Sequence, residues 1–219
     1  MRARILRAAV FMAGLALFLL PFVAGRVADS VSADAAQAYL ASNDCNPDPA
    51  YEAALAWNAR LASEPDQRSM SPGRAAEYMS LLDPGGDGVM AVLEIPSIGV
   101  LVPVVHGTSA AVLSACAGHD MHSSLPVGGA SSHCVIAGHS GVPGHEPFVR
   151  LSELTVGDMF RIHVQKRVLE YLVDRIDIVD PDDVDALAIV EGEDRVTLIT
   201  CVPYGINSHR LLVSGTRAS

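Results

Sequence analysis

The chain has 219 residues, enough for one domain with a real core plus appended segments. Aromatic residues make up only 5%, so that core must rest on Val, Ile, Leu and Ala. A formal charge of -10 excludes the basic footprint that nucleic-acid binding needs, while acidity by itself names no partner.

Arg2, Arg4, Arg7 and Arg26 precede the first acid, and no charged residue interrupts Ala8 to Gly25. That run approaches the ~20 residues that span a bilayer as a helix. The arginines on its amino-terminal flank place the N-terminus in the cytoplasm and the rest outside. An uncleaved anchor is expected, with a cleaved signal peptide as the rival because Val23-Ala24-Gly25 offers small residues. Residues 26–50 read as a stalk or short helix followed by a break at Pro47-Asp-Pro49. Tyr51, Leu55, Trp57, Asn58 and Leu61 have the spacing of an amphipathic helix over Ala50 to Ser63. A polar loop follows from Glu64 to Gly73, then a further helical turn or two over Arg74 to Leu82, then the strong turn Asp83 to Gly88.

Beyond Gly88 the texture becomes β. Strands are expected at Val89–Ile95, Ile98–Val105, Cys134–Ala137, Met159–Val164, Val168–Val179, Val196–Cys201 and Arg210–Val213. Short helices are expected at Ser109–Ala115, Pro147–Leu154 and Asp182–Leu187. Many short strands with Gly and Pro turns suggest a β-barrel or sandwich.

The most informative stretch is Thr197 to Gly215. Cys201 ends one apolar β run, and Arg210 opens the next, Leu211-Leu-Val213. Strand, loop and returning strand would set that thiol beside that guanidinium. His139 lies upstream in Val135-Ile-Ala-Gly-His139. A thiol, an imidazole and a fixed cation are the parts of nucleophilic acyl transfer. The remaining cysteines, Cys45, Cys116 and Cys134, lack metal-type spacing; Cys116 and Cys134 are either joined or separately buried thiols. His119 and His122 have HxxH spacing without an evident third ligand, so no metal and no cofactor are expected.

At these residues the chain resembles a sortase, a membrane-anchored cysteine transpeptidase. The resemblance rests on Thr197-Leu-Ile-Thr-Cys201 with Arg210, and on Ala137-Gly-His139-Ser-Gly141. Gly86-Asp-Gly-Val-Met90, Leu93-Glu-Ile-Pro96, His106-Gly-Thr108, Ser124-Leu-Pro-Val-Gly-Gly129 and Cys201-Val-Pro-Tyr-Gly-Ile-Asn-Ser-His-Arg-Leu211 resemble class C, the pilin-polymerising branch. It implies a mainly β fold, a closed sortase-type β-barrel with short helices and a helical N-terminal extension. The expected division is a basic N-terminus (1–7), an anchor (8–25), a stalk, helical extension and possible lid (26–88), the catalytic barrel (89–215) and a polar tail (216–219).

The resemblance implies Cys201 as nucleophile, His139 as acid and Arg210 as carbonyl or oxyanion donor. It implies His119 near the substrate groove, and Thr200 and Asn207 are expected to shape the pocket. The substrate implied is an LPXTG-like sorting signal on a pilin or surface protein, cleaved between Thr and Gly and passed to a pilin lysine. The enzyme is expected to be a monomer on the outer face of the plasma membrane. Two other readings stay open: a housekeeping sortase that uses a cell-wall amine, and an inactive membrane-tethered binding module. One departure stands out. Class C relatives usually carry a lid with an Asp-Pro-aromatic motif, and the candidates here, Glu64-Pro65-Asp66 and Asp48-Pro49-Ala50, lack the aromatic.

Overall fold

The computed structural model describes residues 2–41, 48–64, 66–83, 85–140 and 147–218. Three helices precede the sheet: α1 (Arg2–Ala41), α2 (Asp48–Ser63) and α3 (Pro72–Ser80). Eight strands follow, with the four-residue α4 (Ala110–Leu113) between the second and third. They are β1 (Val89–Ile95), β2 (Val100–His106), β3 (Ala117–His119), β4 (Ser132–Ala137), β5 (Met159–Val164), β6 (Arg167–Val179), β7 (Asp194–Val202) and β8 (His209–Arg217). They close into a barrel in the order β1-β2-β3-β4-β7-β8-β6-β5.

Strand alternation divides the barrel wall into two faces. Val104, Ala117, Ile136, Val196, Leu198, Leu211 and Val213 point into the common core. On β4, β7 and β8 their neighbours Val135, Ala137, Ile199 and Leu212 line a groove on the outer face. The connection from β6 to β7 crosses that outer face, and His133 on β4 is tied to the carbonyl of Ala188 within it at 2.9 Å.

The extension packs on the barrel by the spacing seen in sequence. Tyr51, Ala54, Trp57, Asn58 and Leu61 all lie on the buried face of α2. Asn58 docks like a piece of strand: its amide donates to Leu125 O at 3.0 Å and accepts from Leu125 N at 2.7 Å. α3 begins at the side chain of Ser71, which accepts from Arg74 N, with Pro72 at the first helical position. It delivers Tyr78 into the core between His106 and His119.

In the N-terminal part α1 runs on to Ala41 and α2 begins at Asp48; the residues between, Cys45 among them, lie outside the described residues. Near its end Ser32, Ala36 and Tyr39 are buried, with Ala36 and Tyr39 in a cluster with Val89 and Val92 of β1. The apolar run lies in the first half of α1, where Val10, Phe11, Leu17, Phe18 and Leu20 are exposed. Among the described residues, no helix is long and apolar enough to cross a membrane.

Two tests follow from this packing. Asn58→Ala strands the N–H of Leu125 and two carbonyls in a buried loop, so denaturant unfolding should show a loss of about 2 kcal/mol. The second concerns His119, whose pKa burial pushes down to about 4, against 6.5 for an ordinary histidine. The unfolded chain therefore binds a proton that the native ring refuses between those values, and stability falls as pH drops through that window. The denaturation midpoint should decrease between pH 7 and pH 5, corresponding to about 2 kcal/mol from this ring. A midpoint flat over that range contradicts a buried neutral His119.

Candidate active site

Cys201 stands near the end of β7, directly opposite Arg210 on antiparallel β8. β4 pairs with β7 in parallel, with Ala137 opposite Ile199. Gly138 continues this pairing by donating from its N to Ile199 O at 3.0 Å. His139 is the next residue along, two past the end of β4. The hydroxyl of Ser140 closes the arrangement by donating to the carbonyl of Cys201. By alternation Cys201 shares its side with Ile199, and Arg210 with Leu212, so both belong to the outer face of the wall, where Arg210 lines the groove; His139 lies just past the end of β4.

Each member has its own support. Thr200 points inward and donates to Gly138 O at 2.8 Å, which staples the end of β4 to β7. A side chain at Gly138 would place its Cβ 2.6 Å from the ring of Phe148, so glycine lets that buried ring seat beneath the histidine turn. Arg210 donates from Nη1 to the carbonyls of Asn207 and His209, both at 3.1 Å. Asn207 holds positive φ, 60°, at the turn that returns the chain to β8. Thr200 thus positions backbone from the inner side of the wall, while Asn207 offers its carbonyl to Arg210.

Cys201 differs from the other described thiols in its surroundings. Cys116 and Cys134 are both free, so no disulfide joins them. Burial raises the pKa of Cys116, and burial first, with Asp194 and Asp120 adding, raises that of Cys134 well above the ordinary value. Those two thiols are held neutral. Cys201 is half-buried on the outer face of β7, with Arg210 its cross-strand partner on β8.

His119 is not at the groove. It lies opposite Ile136 on β3 and is completely buried on the inner side of the wall. Its Nε2 meets Ser124 O at 2.8 Å and its Nδ1 meets the Tyr78 hydroxyl at 3.0 Å. A neutral ring with the proton on Nε2 satisfies both contacts, because Tyr78 can then donate to Nδ1. The reason for the misplacement is strand parity: the next residue, Asp120, takes the groove side and lines the cavity.

The lid candidates also organise themselves differently. Glu64 pairs with Arg74, and Asp66 accepts from Arg68 N at 3.2 Å in its own turn; Pro65 lies outside the described residues. Asp48-Pro49-Ala50 opens α2. Asp66, Gln67 and Arg68 together reach the barrel, lining a cavity with His122 and His133. Gln67 accepts from Ile189 N at 3.4 Å, and Arg68 faces Asp120 at 3.5 Å. Arg68 and Arg210 line the same cavity, of about 370 Å³. No motif marks Gln67 or Arg68, although a polar loop between two docked helices signals an element able to reach across. Ser140 was legible only as the neighbour of His139.

The fold and this arrangement define a closed β-barrel cysteine enzyme of the acyl-transfer type. A sortase-domain family model matches residues 93–218, more than half of the chain, and the chain belongs to the sortase family of cysteine transpeptidases. Solved structures agree with that membership. Sortase C1 from Streptococcus agalactiae superposes with a TM-score of 0.75 at 39% identity, covering 77% of this chain and 87% of that one. Sortase C-1 from Actinomyces oris gives 0.72 at 41% identity, covering 78% and 97%. A sortase C from Streptococcus pneumoniae, described with its pilin substrate specificity, gives 0.70 at 40% identity, covering 78% and 86%.

Gly138→Ala tests the seating of the histidine turn. Overpacking against Phe148 should cost about 1–3 kcal/mol in denaturant unfolding. The restoring change Phe148→Leu in the same chain should recover part of that loss.

Proposed function

We propose that this sortase is a pilin-polymerising transpeptidase in which Cys201, His139 and Arg210 carry the chemistry. The observation that supports it most directly is the cross-strand pairing of Cys201 with Arg210, beside the parallel strand β4 that leads into His139. A free thiol titrates near ~8.5, so a positive neighbour favours the thiolate that attacks. In this reading the Cys201 thiolate adds to the threonine carbonyl of an LPXTG-like signal. Arg210 faces the developing oxyanion. His139, as imidazolium, gives its proton to the departing glycine amine, which leaves a thioester on Cys201. A lysine amine of another pilin then attacks the thioester, forms an isopeptide bond and releases the thiol. The class C neighbours support the choice of a pilin lysine as acceptor.

Attachment to the membrane through Ala8–Gly25 belongs to the same proposal. Its support is the exposed apolar side chains of α1 and the flanking Arg4 and Arg7. The full chain should sediment with membranes, and extraction should need detergent rather than high salt or alkali. Release by salt or alkali alone would refute the anchor.

Intact-mass spectrometry of the enzyme with an LPXTG peptide should find one acyl adduct on Cys201, and Cys201→Ala should give none. Arg210→Ala should slow adduct formation on the order of a hundredfold, the cost of losing a transition-state donor. Passage of the adduct to a lysine-bearing pilin supports polymerisation. Resolution only by small cell-wall amines assigns a housekeeping role instead, and an unreactive Cys201 leaves a binding module.

A further inference from the structure

The groove that begins at Arg210 has a charged residue at its other end as well. Asp120 follows β3 and, by strand parity, faces outward into the cavity. Its carboxylate is held on one side only by its own loop: Oδ1 accepts from His122 N and meets His122 Nδ1, each at 3.0 Å. Oδ2 is left for a cation, and Arg68 supplies it at 3.5 Å. The partners are unequal. The Asp120 side chain is 17% exposed, whereas that of Arg68 is 40% exposed. Asp120 belongs to the barrel wall, and Arg68 arrives from the loop between α2 and α3. A fixed, mostly buried anion therefore faces a cation at long range on a separate segment, and such a pair is weak and exchangeable.

We propose that Asp120 reads a cationic side chain of the peptide substrate, a lysine or arginine flanking the sorting motif, and that Arg68 occupies that place while the groove is empty. The inference rests on the groove being the peptide site. Between Arg210 and Asp120 the walls are apolar, with Val135, Ile199, Leu212 and Leu187 among them. An extended peptide with small apolar residues in the middle fits such walls. Burial by itself would raise the pKa of Asp120, but the His122 hydrogen bonds and Arg68 hold it below the usual carboxylate range. The carboxylate is thus ionised at neutral pH and loses a partner when Arg68 moves aside, which favours a replacement cation. Asp183 also lines the cavity, so an anionic residue in it would meet a second carboxylate besides Asp120.

The acceptor lysine offers the same chemistry, so the test has two arms. In the first, LPXTG peptides with Lys, Ala or Glu beside the motif are titrated by fluorescence anisotropy against the full-length Cys201→Ala protein. The Lys peptide should bind roughly threefold to fivefold tighter than the Ala peptide, the range of a half-exposed ion pair, and the Glu peptide more weakly. Asp120→Asn should erase that order, and Arg68→Ala should tighten the Lys peptide by removing its competitor. Arg68→Ala keeps the test valid if Asp120→Asn proves unstable. In the second arm, preformed thioester is offered acceptor peptides with and without an additional lysine. Charge dependence confined to this arm would give Asp120 to the acceptor and overturn the proposal. Equal binding of the three donor peptides would also overturn it, while their common acylation of Cys201 in the unmutated enzyme leaves the transpeptidase reading intact. No binding of any peptide would overturn the groove assignment and this inference with it.

Discussion

Ala137 lies opposite Ile199 because β4 and β7 run parallel, and the site depends on that pairing. The two strands are separated in the chain by two other strands and their connections, so only barrel closure brings them together. Once paired, the end of one carries His139 and the end of the other carries Cys201. Antiparallel β8 then adds Arg210 across from the thiol. A slip of one residue in either pairing would turn a member of the set inward, since side chains alternate across the wall. Gly138, Thr200 and Ser140 spend their contacts on holding that register at the strand ends, where ladders otherwise fray.

The two faces of the wall do different work. Inside, polar groups are satisfied in a short relay. Gly107 N donates to the Tyr78 hydroxyl, which meets His119, which in turn meets Ser124 O. On the outer face, beneath the β6–β7 connection, a second relay runs from Ser214 through Thr197 to His133 and the carbonyl of Ala188. The first fixes the helical extension on the barrel. The second fixes the β6–β7 connection that walls the groove. Because the extension is held at Asn58 and Tyr78, its intervening loop lies over the β6–β7 wall and the Asp120 end of the groove, where Gln67 and Arg68 make their contacts.

Much of this was legible beforehand, and the reasons can be traced to single residues. Runs such as Val89–Ile95 and Met159–Val164 carry enough β-branched and apolar residues to be strands in any context, and they are strands here with those bounds. β3 was missed because Ala117-Gly-His119 has no such character; it is a strand only because β2 and β4 flank it. β8 was expected only over Arg210–Val213, where the apolar run ends, yet the strand continues to Arg217, and Gly215 is needed there, since a Cβ would approach Leu172 O at 2.8 Å. His119 was assigned to the groove by the family resemblance, which says nothing about strand parity. Its plainer neighbour Asp120 holds the groove-side position.

The sequence alone determined the barrel class, the amphipathic extension and the identity of the three candidate reactive residues, because local periodicity and motif chemistry survive without long-range information. It did not determine which face each residue takes, or which loop reaches the groove. Those depend on strand parity after closure and on where docked helices leave their connections. That is why Thr200 and His119 turned inward, while Asp120 and Arg68, unmarked by any motif, came to line the same cavity as Arg210.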